Sequence, residues 1–178
     1  MQSILFCVIM NLYFMLETGI VWCSVPTAPG KNFWRNRKMK VKSLHYSKVG
    51  NAQIISGRLG EIYKCVSDQI PPAYPCESEK IVFIGIETSK KIDRPVVDFC
   101  KTLTPARAQN VAFYIIGGSD TSGLDPVKQA VQANGVNVAG DTLVIPVKSG
   151  LFKKGRISDS DVETAVKWAA DITDHKLK

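Results

Sequence analysis

Ser47-Lys48-Val49-Gly50-Asn51-Ala52 joins a strand-like run to a helix-like one, and it is the stretch of this chain best suited to chemistry. A loop entering a helix points its backbone N–H groups into the space ahead of the helix N-terminus, where peptide dipoles favour negative charge. Gly50 lets the backbone approach an anion closely, and no residue from 47 to 53 is a proline, so every amide keeps its donor. The expected chemistry is anion binding. A Gly-Asn pair at such a junction is, by itself, more often a plain turn.

The elements around this loop alternate. Val41 to Tyr46 (VKSLHY) reads as a short strand, and Gln53 to Lys64 as a helix with Ile54, Ile55, Leu59 and Ile62 near helical spacing. Val66 to Tyr74 is Pro-rich and suits at best a short edge strand. Lys80 to Ile86 (KIVFIGI) and Asn110 to Ile116 (NVAFYII) are continuous apolar runs, the mark of strands covered on both faces. Asp93 and Pro95 start a helix to about Leu103, and Asp125-Pro126 starts another that Gly135 closes. Val136 to Val147 holds a split strand whose better part is Thr142 to Val147. Ser158 with Asp161 resembles a capping box heading a helix to about Thr173. Val162, Ala165, Val166, Ala169 and Ile172 form its packing face, and Trp168 falls off that face without a role. Strands separated by helices predict a parallel α/β sheet.

In such a sheet, ligands bind beyond the carboxyl ends of the strands, where the strand order reverses. The loops leaving those ends are 47–52, 87–94, 117–124 and 148–157. They carry Lys48, Lys90, Lys91, Arg94, Lys148, Lys153, Lys154 and Arg156, opposed by Glu87, Asp93, Asp120 and Asp125. Any one of these lysines is more often a solvated rim charge than a ligand. Eight together on one edge predict attraction for an anionic ligand or an acidic partner.

Composition excludes several classes. At 178 residues, 45% apolar and 22% charged, the chain is long enough for one domain with a full core and is not disordered. The net charge of +7 is not gathered into a basic tail of the nucleic-acid-binding kind. Five cysteines without a CxxC pair, and only His45 and His175, argue against a disulfide scaffold or a zinc site. Cys65, Cys76 and Cys100 are expected as inert buried thiols, and His45 as a packed core residue. No Ser-His-Asp or paired-carboxylate arrangement is apparent.

The first 38 residues differ from the rest. Ile4 to Leu16 is almost wholly apolar, and the run resumes from Gly19 to Val25 after Glu17. A membrane span needs ~20 apolar residues, so 4–25 barely qualifies. The cations Lys31, Arg35, Arg37 and Lys38 would hold the rest of the chain on the cytoplasmic face. Alternatively, the domain starts at Met39 and needs nothing upstream. The expected organisation is an apolar segment with a basic linker over 1–38 and a domain over 39–178, placed in the cytoplasm.

Met39 to Ser56 (MKVKSLHYSKVGNAQIIS) resembles the opening of a flavodoxin-family protein. There a first strand runs into an (S/T)-x-T-G-(N/T)-T loop that binds the phosphate of FMN. The resemblance covers essentially all of the chain after Met39. It implies a flavodoxin-like three-layer sandwich with a five-stranded parallel sheet in the order 2-1-3-4-5. It implies FMN as cofactor, with Ser47, Lys48, Val49, Gly50, Asn51 and Ala52 at the phosphate. Backbone groups at Glu87, Thr88, Gly117, Gly118 and Ser119 would then meet the ring edge. The implied role is an electron carrier between cytoplasmic redox partners rather than a stand-alone enzyme.

This chain departs from the family pattern in three ways. Val49 and Ala52 stand where the family usually has threonines, and two lost hydroxyl bonds to a charged group would weaken binding by ~10²–10⁴-fold. Loops 87–94 and 117–124 carry none of the aromatic side chains that flavodoxins usually set against the flavin ring. The edge is basic where electron-carrying flavodoxins are commonly acidic. Two alternatives stand beside this reading, and the departures support the first of them. One is a flavin-free module whose basic rim docks an acidic protein or a phosphorylated ligand; the other is a small FMN-dependent reductase.

Overall fold

A computed structural model describes residues 39–88, 91–118, 120–147 and 155–177. The expectations for residues 1–38, for Ser119, and for Lys90, Lys148, Lys153 and Lys154 lie outside the described residues. No helix among the described residues is long and apolar enough to cross a membrane.

The apolar runs become the two central strands. In chain order the elements are β1 (Val41–Tyr46), α1 (Asn51–Tyr63), β2 (Ser67–Gln69), β3 (Glu79–Thr88), α2 (Arg94–Lys101) and β4 (Ala108–Gly117). A turn of 3₁₀ helix at Ser122–Leu124 leads into α3 (Asp125–Ala133), followed by β5 (Asn137–Val138), β6 (Leu143–Pro146) and α4 (Asp159–His175). All pairings are parallel, and the sheet runs β2-β1-β3-β4-β5, with β6 also pairing β4. The expected fifth strand is thus two short pieces lying along β4. This is a flavodoxin-like α/β sandwich.

Alternation along the central strands sorts the core into two layers. Ile81, Phe83, Ala112, Tyr114 and Ile116 meet Ile55 and Leu59 of α1 and Ala165, Ala169 and Ile172 of α4. Val82, Ile84, Ile86, Val111, Phe113 and Ile115 meet Val96 and Cys100 of α2 and Val127 and Val131 of α3. A fully buried Ile or Leu contributes ~1.5–3 kcal/mol, so each layer is substantial on its own. Ser158 and Asp161 form the expected capping box, each side chain bonding the other residue's backbone.

Trp168 requires a correction. Its ring lies 5.7 Å from that of Phe83 and 6.1 Å from that of Tyr114, and its Nε1–H donates to the Asp141 carbonyl at 3.0 Å. The residue stands three positions after Ala165 and four before Ile172, so it shares the stripe that faces the sheet.

One buried polar contact ties the sheet to the start of α1. The Tyr114 hydroxyl, fully buried, donates to the Ala52 carbonyl at 3.2 Å. Tyr114→Phe keeps the packing and deletes this bond. Its expected cost is about 1 kcal/mol, read from the urea midpoint, with the fold intact by circular dichroism.

Candidate functional site

The parallel sheet brings the carboxyl ends of β1, β3, β4 and β6 to one edge. The order reverses between β1 and β3: the chain leaves β1 through α1 on one face and β3 through α2 on the other. The crevice expected at such a switch point is present. It is a cleft of about 900 Å³, floored by Val49, Ile92, Ile116 and Val147 and edged by Lys48 and Lys91.

The loop from β1 into α1 is shaped for an anion. Gly50 precedes α1 with φ of +103°, a left-handed backbone that a side chain would strain. Just before this bend the amides of Lys48 and Val49 point to one acceptor, as in the concave backbone nests that receive anions. No side chain among the described residues caps the helix here, which leaves its positive end to whatever lies in the nest.

The anion in the nest belongs to the chain itself. Glu87 Oε2 accepts from the Lys48 and Val49 amides, both at 3.0 Å, and from the Ser47 hydroxyl. Its other oxygen, Oε1, accepts from Asn51 Nδ2 at 3.0 Å. The Gly50 amide donates to Ser47 Oγ at 2.8 Å, which holds that hydroxyl in position to donate to Glu87. Burial pushes the Glu87 carboxyl up, but the bonds from Ser47, Val49, Lys48 and Asn51 together outweigh it. The group is held below its ordinary value of 4.5. Glu87 is therefore an anion at neutral pH, with 8% of its surface exposed.

Asn51 extends this cluster to the far side of the cleft. Its Nδ2 also donates to the Gly155 carbonyl at 3.0 Å, and its Oδ1 accepts from the Ile157 amide at 3.3 Å. One buried side chain thus joins the nest, β3 and the segment entering α4.

The other expected site residues are distributed as follows. Thr88 and Gly117 reach the cleft, but the backbone beside them is already paired: the Gly118 amide donates to the Thr88 carbonyl at 3.1 Å. Ala52 is fully buried, and its carbonyl receives Tyr114.

The rim charges are partly neutralised. Lys48 Nζ lies 2.9 Å from Asp93, whose hydrogen bond and charge hold the ammonium above its ordinary value. Arg94 Nε lies 3.3 Å from Asp98. Lys91 and Arg156 are exposed, with no ion pair among the described residues.

The cysteines among the described residues supply no nucleophile here. Burial pushes the Cys65 thiol up to about 11 and the Cys100 thiol up to about 12, and it raises Cys76 as well. His45 is buried in β1, and burial lowers its pKa against the opposing effect of Asp68.

The signal for Glu87's position is present in the sequence as parity. Ile81, Phe83, Gly85 and Glu87 are alternate residues of one strand, so Glu87 points to the face on which α1 begins. As folded, the nest accommodates this carboxylate. The phosphate of FMN would need the same donors, so the loop in this arrangement does not fit it. Compared with known families and with curated proteins, the chain matches no family model and no curated protein at a significant level.

Proposed function

We propose that this chain is a flavin-independent binding module built on a flavodoxin-like fold. Its strand-end cleft docks an acidic segment of a partner protein. The observation that carries this reading is the seating of Glu87 on the Ser47, Lys48, Val49 and Asn51 donors. With that seat filled from within, Lys91, exposed at the cleft's edge and without an ion pair among the described residues, is the cation left to attract an anion there. The apolar floor of Val49, Ile92, Ile116 and Val147 suits apolar side chains next to the acidic ones. The free thiols among the described cysteines suit a reducing compartment such as the cytoplasm.

The rival reading, an FMN electron carrier or small FMN-dependent reductase, is favoured by the strand order and by the place of the cleft. It requires Glu87 to leave the nest. The two readings separate in one experiment on the purified protein. Added FMN should keep its free absorbance and fluorescence up to high micromolar concentration. A polyglutamate peptide should associate at low ionic strength and be released as salt shortens the screening length from ~10 Å at 0.1 M to ~3 Å at 1 M. Saturable FMN binding, or peptide association insensitive to salt, would overturn the proposal.

A further inference from the structure

The geometry points to Glu87 as a built-in substitute for a phosphate group. The nest before α1 is an anion seat that the chain fills itself, and residue 87 decides whether it is open to a phosphate from outside. The seat behaves in this way whatever docks at the rim.

The match between donors and acceptor supports it. An ionised carboxylate offers about four lone-pair sites. Four donors meet this one: the Ser47 hydroxyl, the Lys48 and Val49 amides, and the Asn51 side-chain amide. The Gly50 amide is spent on Ser47 Oγ and is not turned to the seat. A phosphate monoester, with three terminal oxygens and up to two negative charges, would draw on the same donors, so it and Glu87 cannot share the seat.

The charge balance agrees. The one lysine of the loop is turned away, with Nζ on Asp93 at 2.9 Å. The seat therefore bonds its single negative charge with backbone and side-chain dipoles, and the Lys48 ammonium acts on Glu87 only through its charge, without a hydrogen bond. Val49 and Ala52 fit the same account, because neither brings a hydroxyl and Glu87 accepts four hydrogen bonds without one from either. An incoming phosphate would have to displace Glu87, break four charge-assisted bonds, and lie beside the displaced negative charge.

Glu87 is thus a specificity-determining residue that excludes phosphate, and its removal should expose a latent phosphate site. The test titrates inorganic phosphate, and separately FMN, into the full-length wild type and Glu87→Ala. Binding is read from melting temperature and from the backbone amide resonances of Lys48 and Val49. The wild type should show no saturable change with either probe. Glu87→Ala should bind phosphate at least tenfold more tightly than the wild type, with the Lys48 and Val49 resonances moving. Should Glu87→Ala fail to fold, Glu87→Ser serves, because its side chain is likewise too short to fill the seat. A folded variant that binds phosphate no better than the wild type would overturn the inference. Phosphate moving the Lys48 and Val49 resonances of the wild type would overturn it too, whatever the variants do.

Discussion

Gly85→Ala is expected to lose at least ~3 kcal/mol of stability and to melt about 10 °C or more below the wild type. Gly85 and Tyr114 are direct partners on β3 and β4, and the tyrosine ring lies across the glycine. A Cβ at position 85 would sit 2.1 Å from Cζ of Tyr114 and 2.3 Å from its Cε2 and Oη. The ring has nowhere to go. It is fully buried, its hydroxyl is fixed on the Ala52 carbonyl, and its edge meets Trp168. Overpacking in a dense core commonly costs ~1–3 kcal/mol, and an immovable aromatic ring places this case at the upper end or beyond. A native domain has only ~5–15 kcal/mol to lose. Thermal and urea denaturation followed by circular dichroism would show the loss. Tyr114→Leu frees the space, so the double variant Gly85→Ala/Tyr114→Leu should be more stable than the sum of the single effects allows. A Gly85→Ala protein that melts with the wild type would mean that the ring does not cross the glycine.

Glu87→Gln is expected to cost about 2 kcal/mol at neutral pH, since hydrogen bonds to a charged group carry ~1.5–3 kcal/mol and the four here share one acceptor group. The cost should depend on pH with a definite sign. The folded-state pKa of Glu87 lies below its ordinary value of 4.5, so the unfolded chain binds more protons between the two values. The stabilisation is present in full above 4.5 and fades as pH falls through the folded value. Glutamine does not titrate and has no such dependence. The difference in urea midpoint between wild type and Glu87→Gln should therefore be constant near neutrality and shrink below 4.5. A difference that stays constant or widens on acidification would show that the carboxylate is not held as described.

The fold is legible in the sequence because its signals are local. Continuous apolar runs at 80–86 and 110–116 mark strands covered on both faces, and they form β3 and β4 with a residue or more added at each end. The capping box at Ser158 and the Pro-marked starts of α2 and α3 stand where the sequence places them. The strand order follows from the alternation of strand and helix together with the family resemblance.

The site is legible in part. Gly50 and the amides around it suggest an anion seat, and the backbone has that shape. The occupant is harder to read, because Glu87 lies 39 positions beyond Lys48 and counts by sign as one more rim acid. Only the pairing of β1 with β3, Tyr46 beside Ile86, carries Glu87 to the loop. Charge counting treats every loop residue as solvated, whereas parity along β3 turns this one inward. Lys48 escapes the same count, since Asp93 reaches it only once α2 is packed.

Whether the seat is filled from within depends on one carboxylate and two amides, and their resonances give the most direct test. In wild-type protein followed by nitrogen–proton correlation spectroscopy, the Lys48 and Val49 amide signals should move together as pH is lowered. They should share one midpoint below 4.5, and Glu87→Gln should abolish the movement. If those two signals ignore the titration, Glu87 does not occupy the nest, and the exclusion of phosphate has no foundation.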